Sequence, residues 1–235
     1  MTPTPLSLPG QAASPTGPAD MTMMYVVHHA FRRDLSDFAR AAEVTASRDR
    51  GQWERLTRRW ERFTQELQQH HAKEDEVLWP LLLERVCAAG DVAAERVLHE
   101  MEAEHAVLEP LLAAASTAFA RLAAGADQSA HDLLRDALED FGDALRHHLG
   151  HEETAAIAIV QQHVGGEEWA ELERTRFRSR QSLAEASFFV PWALKGLPPE
   201  AEHRALALGG PPLRVVNALA RRRFRSEEAE AFGTD

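Results

Sequence analysis

Two histidine–glutamate pairs are the residues whose types and spacing could do chemistry in this sequence. His70 and Glu74 lie four positions apart, and His148 and Glu152 repeat that spacing. Four residues of an α-helix turn through roughly 400°, so the two side chains of a pair point to one side, about 6 Å apart along the axis. Imidazole nitrogens and carboxylate oxygens are ligands for transition metals. The pairs therefore indicate two metal ions or one shared cluster.

The elements that must position these pairs are long amphipathic helices. Apolar residues recur every three or four positions in four segments that begin near Met21, after Ser47, near Asp91 and near Gln128. This is the period of helices with one buried face. Since short polar turns separate the segments, the sequence predicts an all-α fold, an up-down-up-down four-helix bundle over residues 21–164.

Six polar residues occupy positions on the buried faces of these helices: His28, His70, Glu74, His105, His148 and Glu152. Counted from the connecting turns at about 1.5 Å per residue, they lie at one height within about a turn. Burying two ionised carboxylates at one level without partners would be very costly, and cations remove that cost. The alternatives are a buried hydrogen-bonded network of these groups, or side chains that meet water. The convergence of six groups favours a metal site.

The neighbouring polar residues are predicted to support the ligands. Asp75 and Glu153 follow the two glutamates directly and diverge from them by about 100°, so they are predicted to be solvated or to accept hydrogen bonds from ligands. His151 lies at the edge of the buried face and could orient a ligand. The histidines that fall off the buried faces are predicted to be solvated or to orient ligands: His29, His71, His99 and His147.

Composition restricts the class of protein. The chain has 235 residues and a formal net charge of −11, which argues against binding to nucleic acid. The single cysteine, Cys87, excludes a disulfide framework, fits a reducing cytosol and is predicted to be a small buried residue. No apolar run approaches the roughly 18 residues of a membrane span. We therefore expect a cytoplasmic protein whose partners are small molecules or ions, with no membrane contact.

The two ends of the chain carry none of the predicted metal ligands. Residues 1–20 are rich in Pro, Ser, Thr and Gly and are predicted to be a disordered tail. Residues 165–235 are predicted to be a helical extension packed on the bundle: a fifth helix after Gly166, an apolar patch followed by a turn, and two short helices at about 200–208 and 213–225. The basic run at 221–225 is predicted to be a helix end in solvent.

With these residues in view, the sequence resembles the hemerythrin-like (HHE cation-binding) proteins. The stretches that carry the resemblance are VVHHAFRRDL, HHAKEDEVLWP, MEAEH and HHLGHEE, one on each predicted helix. The resemblance covers residues 21–164 and implies a non-haem di-iron centre that handles O2, peroxide or NO. It also implies that Glu74 and Glu152 bridge the irons, that His28 and His70 serve one iron, and that His105 and His148 serve the other. Mn or Zn could occupy the same ligands.

One departure from the family pattern matters for function. Oxygen-carrying hemerythrins have a second helix C histidine where this chain has Met101, so one iron loses a nitrogen ligand and reversible O2 carriage is in doubt. Tyr25, Glu109 or water could take its place, and Tyr25 could also act on a bound oxidant or be a core-edge aromatic. Catalase-like peroxide decomposition and O2 or NO sensing are both compatible. The alternative function is a non-catalytic, metal- or oxygen-responsive regulator or iron buffer.

Overall fold

The computed structural model describes residues 3–125, 127–177 and 182–233. From Thr22 onward these residues form helices joined by short turns, and there is no strand among the described residues. The helices are α1 (Thr22–Val44), α2 (Arg50–Lys73), α3 (Trp79–Ala89), α4 (Val92–Ala123), α5 (Gln128–His151), α6 (Ile157–His163), α7 (Gly166–Leu172), α8 (Leu183–Leu194) and α9 (Pro199–Phe232). A π-helical turn at Glu74–Leu78 joins α2 to α3, and a second one at Glu152–Ala156 joins α5 to α6. The all-α fold and the bundle of four long helices are confirmed.

Local sequence sets where the helices begin and end. An aspartate precedes each of three helices, and its side chain accepts a hydrogen bond from a backbone N–H of the first turn: Asp49 before α2, Asp91 before α4 and Asp127 before α5. Such caps satisfy amides that have no partner within the helix. Helix α3 ends at Gly90, whose φ of +71° is a left-handed conformation that glycine adopts without strain. Tight turns at these points make neighbouring helices antiparallel.

An aromatic layer fills the bundle on one side of the predicted ligands. Trp60 stacks on Phe63 with ring centroids 5.0 Å apart and lies 4.9 Å from Phe119. Phe31 contacts both Phe63 and His70, at 5.7 and 5.4 Å between centroids. All four aromatic rings are fully buried. This layer closes the site on the side of Phe31 and Phe63.

The first π-helical turn shifts the buried face of its helix by one residue. A regular helix would place Val77 and Leu81 in the core, as the sequence predicts, but the structure buries Leu78 and Leu82 and leaves the predicted pair half-buried. The turn at Glu74–Leu78 contains one extra residue relative to α-helical winding, which rotates the chain that follows by about 100°. The predicted face therefore ends at the turn.

The second π-helical turn has the same effect in the fourth helix. A regular helix would place Ala155, three residues after Glu152, on the buried face, but Ala156 is buried and Ala155 is half-buried. Val160 is fully buried beyond it, beside the predicted Ile159. In both helices the carboxylate proposed as a ligand, Glu74 or Glu152, is the first residue of the turn.

Cys87 is exposed, contrary to prediction. The neighbouring Val86 faces the core instead, because the shifted face of α3 runs through Leu82 and Val86.

The proline-rich start of the chain packs on the bundle. The sequence predicts a disordered tail, but Leu6 and Leu8 are buried although residues 3–20 have no regular secondary structure. The backbone N–H of Ala12 donates to Glu153 at 2.7 Å, and Ala19 exchanges two hydrogen bonds with the amide of Gln161. Prolines prevent this segment from forming a helix, but side chains of the fourth helix satisfy its backbone.

The C-terminal extension covers α1 and α2, and its helices differ from the prediction. Helix α7 and a π-helical turn form the expected fifth helix, while residues 178–181, within that predicted stretch, lie outside the described residues. The apolar patch forms helix α8, whose Trp192 is fully buried and donates to Asp34 at 2.8 Å. The two short helices are one long element, α9, broken at Gly210. The basic run at 221–225 lies inside α9 and is not a helix end, but its four arginines are exposed, as predicted. Phe224 within the run is buried against Phe188.

Helix α4 is the one described helix whose length and hydropathy are sufficient for crossing a membrane. A core helix of a bundle can have the same composition. Its buried face, which includes Leu98, Met101 and His105, lies against α2 and α5. The absence of membrane contact stays a prediction.

Candidate metal centre

The structure brings together all six residues predicted to bind metal: His28 from α1, His70 and Glu74 from the second helix, His105 from α4, and His148 and Glu152 from the fourth. Their candidate ligand atoms form two groups, and within each group all atoms lie within 4.8 Å of one another. The equal heights expected from counting residues along the helices are observed.

The first group consists of His28, His70, Glu74 and Glu152. The Nε2 atoms of the two histidines lie 3.3 Å apart. Each Nε2 also lies 3.1 Å from a carboxylate oxygen, that of His28 from Glu152 and that of His70 from Glu74. Two nitrogens and two carboxylates thus converge on one point between α1, α2 and α5.

The second group consists of His71, Glu74, His105 and His148. The Nε2 atoms of His105 and His148 lie 3.2 Å apart, and the ring of His71 stacks on that of His105 at 4.0 Å. The expectation that His71 is solvated or orients a ligand is therefore corrected, because it stands among the candidate ligands. Glu74 belongs to both groups, so its carboxylate can bridge two ions.

The signal for His71 was present in the sequence. It lies three residues before Glu74, and a side chain three positions away in a helix is a neighbour just as one four positions away is. The doublet of His70 and His71 therefore gives Glu74 one imidazole on each side. A helix with a single buried face includes only one of these two histidines in that face.

Three of the histidines place Nδ1 against a carboxylate: His28 on Glu153 at 3.0 Å, His105 on Asp75 at 2.8 Å and His148 on Glu104 at 2.9 Å. A proton held on Nδ1 by such a partner leaves Nε2 as the free lone pair that a metal needs. Asp75 and Glu153 thus lie where supporting acceptors were expected. The role of Glu104 as an acceptor was not predicted. Glu104 directly precedes His105 and therefore lies on the neighbouring face of α4.

A family model for the hemerythrin HHE cation binding domain matches residues 20–160, more than half of the chain. The chain belongs to this family. No curated protein and no solved structure shows significant similarity to it. The family resemblance inferred from the four helix motifs is thereby confirmed, and the hemerythrin domain is a cation-binding domain.

The buried polar atoms of the hemerythrin domain fit a metal centre. Among the described residues, both carboxylate oxygens of Glu74 and of Glu152, together with Nε2 of His71, are buried without a hydrogen bond. Contacts of 3.1 Å from His28 and His70 reach the two carboxylates without the geometry of a hydrogen bond. Buried carboxylate oxygens without hydrogen bonds cost free energy unless a cation or a proton satisfies them. Imidazole nitrogens and carboxylate oxygens are the donors that Fe, Mn and Zn accept.

Electrostatics in the domain are dominated by burial. Burial raises the pKa of Glu74 well above its ordinary range, and the nearby charges of Glu152 and Asp75 add to this effect. Burial also lowers the pKa values of His70 and His71 well below their ordinary range, with neighbouring imidazoles adding to it. The two imidazoles of the second helix are therefore neutral and have lone pairs available.

His28 behaves differently because it lies between two carboxylates. Burial by itself lowers its pKa, but Glu152 and Glu153 outweigh that effect and raise the pKa of His28 to about 9. The same contact lowers the pKa of Glu152, against the opposing effect of burial. The carboxylates therefore draw a proton onto His28, and a cation that binds to the first group competes with that proton.

The residues predicted to replace the missing helix C histidine of the hemerythrin domain differ in burial. Glu109 is exposed. Tyr25 is buried one turn before His28, and its hydroxyl lies near Ser14 without making a hydrogen bond of ordinary geometry. Burial raises the pKa of Tyr25 to about 12, which disfavours the phenolate, and its role stays a prediction. His71 adds an imidazole to the second group.

The remaining histidines near the domain's centre take varied positions. His29 was predicted to be solvated or to orient a ligand. It is buried under the N-terminal segment, because the carbonyl of Pro9 lies over it. His99 and His147 are exposed, as a solvated role requires. His151 contacts Glu104 at 2.7 Å and so acts on His148 through that carboxylate.

Proposed function

We propose that this hemerythrin domain holds a non-haem di-iron centre and binds or consumes a small oxidant, namely O2, hydrogen peroxide or NO. The observation that carries the proposal is the sharing of Glu74 between two groups built only from imidazole and carboxylate. Iron bound there would supply redox chemistry and an open coordination position. Mn and Zn accept the same donors, so the identity of the metal is part of the proposal.

The chain's own residues would hold and protect such a centre. Glu153, Asp75 and Glu104 keep the Nδ1 protons of three histidines in place and so orient their rings. Phe31 packs against His70 and excludes water on the side of the aromatic layer. A small oxidant could enter such a site, whereas a large substrate could not reach its interior.

Glu104 holds His148 from the side that faces solvent. It joins Nδ1 of His148 to Nδ1 of His151, at 2.9 and 2.7 Å, and His151 is partly exposed. In catalase-like turnover one peroxide is oxidised to dioxygen while a second is reduced to water. Such turnover is compatible with the donors of the site and is the activity that we propose to measure.

A regulator or iron buffer is the second candidate. Phe31 lies between His70 and Trp192, with ring centroids 5.4 and 5.3 Å from them. Trp192 belongs to α8 of the C-terminal extension, so one buried ring contacts both a candidate ligand and the element that covers the bundle. A change at the metal could reach the extension through this contact.

Metal analysis of the purified full chain, with an optical spectrum and peroxide turnover, tests the proposal. We expect about two irons per chain, visible ferric absorption and rapid peroxide turnover. A Glu74→Gln variant should lose both ions, while the exposed His99→Ala variant should keep both. Retention of two irons by Glu74→Gln would contradict the shared site. Slow turnover together with metal-dependent protease sensitivity of residues 183–233 would support the regulator.

A further inference from the structure

A cavity of about 360 Å³ lies between the bundle and the C-terminal extension. Helices α1 and α2 form its floor, and α7, α8 and α9 form its walls. Its volume falls in the range of about 300–1,000 Å³ that is usual for small-molecule sites. The cavity is separate from the interior of the ligand groups and touches them at one residue, His70.

The carboxyl group of Glu66 is the unusual feature of this cavity. Glu66 lines the cavity and is only 7% exposed. Among the described residues no side chain or backbone group makes a hydrogen bond or close ion pair with it, and the nearest opposite charge, Lys73, acts only at longer range. Burial raises the pKa of Glu66 to about 7. A carboxyl group that faces a cavity from a residue with so little exposure is stabilised when a ligand in the cavity supplies an opposite charge.

The walls around Glu66 are aromatic and apolar. Trp169, Phe177, Phe189 and Trp192 all line the cavity, with methionines of α1 at its floor. Aromatic faces attract cations as well as burying apolar surface. Glu173 and Lys73 also line the cavity.

We propose that this cavity binds an organic amine with a hydrophobic body, whose ammonium group pairs with Glu66 and whose apolar part lies among the aromatic rings. The amine supplies the charge that Glu66 lacks, and the aromatic walls stabilise both of its ends. A carboxylate ligand would pair with Lys73 but would be repelled by Glu66. An alcohol of the same length would gain the apolar contacts without the ion pair.

The position of His70 gives such a ligand a route to influence the metal centre. The side chain of His70 is 12% exposed, whereas those of Glu74, His28 and Glu152 are fully buried. Glu66 precedes His70 by four residues and therefore lies one helical turn away on the same side of α2. An amine in the cavity would contact the outer side of this histidine. Binding of the amine does not depend on which metal is bound or on which oxidant reacts.

Calorimetric titration of the full metal-loaded chain with octylamine, octanol and octanoate tests the proposal. We expect octylamine to bind one to one and roughly tenfold or more tightly than the other two probes, since the ion pair is the difference between them. Glu66→Gln should remove that preference and leave octanol binding unchanged. Removing a buried unpaired charge should not unfold the chain. The matched control is Glu61→Gln, an exposed position on the same helix, which should bind as the parent does.

A second variant locates the binding. Ala186 lines the cavity from α8, so Ala186→Trp should fill it and abolish binding of octylamine. Undiminished binding in that variant would place the amine elsewhere and overturn the proposal. Tighter binding of octanoate than of octylamine, equal binding of octanol, or no binding of any probe would also overturn it.

Discussion

His28 lies between two consecutive glutamates, with Nδ1 3.0 Å from Glu153 and Nε2 3.1 Å from Glu152. Glu152 can bind a metal together with this imidazole, while Glu153 can only orient it. Glu153 is itself held by Arg32 at 2.7 Å and is fully buried. Glu152 and Glu153 are adjacent in sequence, but they contact different nitrogens of the His28 ring.

The orienting task of Glu153 can be tested by Glu153→Gln. Loss of the charge weakens the hold on the Nδ1 proton of His28, so metal affinity at the first group should fall about 10- to 100-fold. Competition with a chelator of known affinity measures this. Glu139→Gln, exposed on α5, is the control and should leave affinity unchanged. Equal affinities in the two variants would show that Glu153 has no such role.

His71 is predicted to be a ligand of the second group. His71→Ala removes one of its two contacts from the second helix and leaves Glu74, so the metal content should fall from two ions per chain toward one. Elemental analysis after dialysis measures the content. His99→Ala is the matched control, since His99 is exposed on α4. Full occupancy in the His71 variant would leave the second group to the other three residues.

Asp34 is predicted to hold the C-terminal extension on the bundle. It is fully buried and accepts hydrogen bonds from Arg59 at 2.6 Å and from Trp192 at 2.8 Å. Asp34→Asn leaves the buried Arg59 with Glu228 as its remaining close carboxylate, so the free energy of unfolding should fall by about 3 kcal/mol. Urea denaturation measures it, with the exposed Asp140→Asn as control. A loss no larger than that of the control would refute the assignment.

The same residue predicts how stability depends on pH. Burial alone would raise the pKa of Asp34, but Arg59 and Arg33 outweigh it and hold the pKa below its ordinary value of 3.8. The unfolded chain therefore binds this proton at a higher pH than the folded chain. The stability gap between the parent and Asp34→Asn should be complete above that ordinary value and should shrink as the pH falls below it. A gap that persists unchanged into stronger acid would contradict the ionised form of Asp34.

Tyr25→Phe is predicted to have little effect. Burial raises the pKa of Tyr25 to about 12 and keeps its hydroxyl protonated at neutral pH, which makes it a poor ligand for a metal. Visible absorption and the rate of peroxide decomposition should therefore match those of the parent within about twofold. Stopped-flow measurement of the metal-loaded variant checks the rate. A loss of tenfold or more would return Tyr25 to the mechanism.

The bundle and the level of the site could be predicted because both depend on helical periodicity and length. His28 and His105 stand among apolar residues at the right spacing, and counting residues from the turns places them together. Those rules assume regular α-helix. They fail beyond Glu74 and Glu152, where each π-helical turn adds a residue and moves the buried face.

Other features could not be predicted because they depend on contacts between distant parts of the chain. Leu6 and Leu8 have no periodic pattern around them, and only the folded bundle offers them a surface. Glu104 becomes a partner of His148 through the packing of α4 on α5. Glu66 looks like any surface glutamate of an amphipathic helix until the extension covers it.

The π-helical turns also determine where this chain can lose a residue. The turn at Glu74–Leu78 holds one residue more than α-helical winding needs, so deleting one residue within it would restore regular winding while Trp79 and Leu82 kept their buried orientation. A deletion further along α3 has no surplus residue to remove and would rotate the residues after it by about 100°. The second helix can therefore shorten at this turn without unpacking α3, and the change would fall on Glu74, the first residue of the turn.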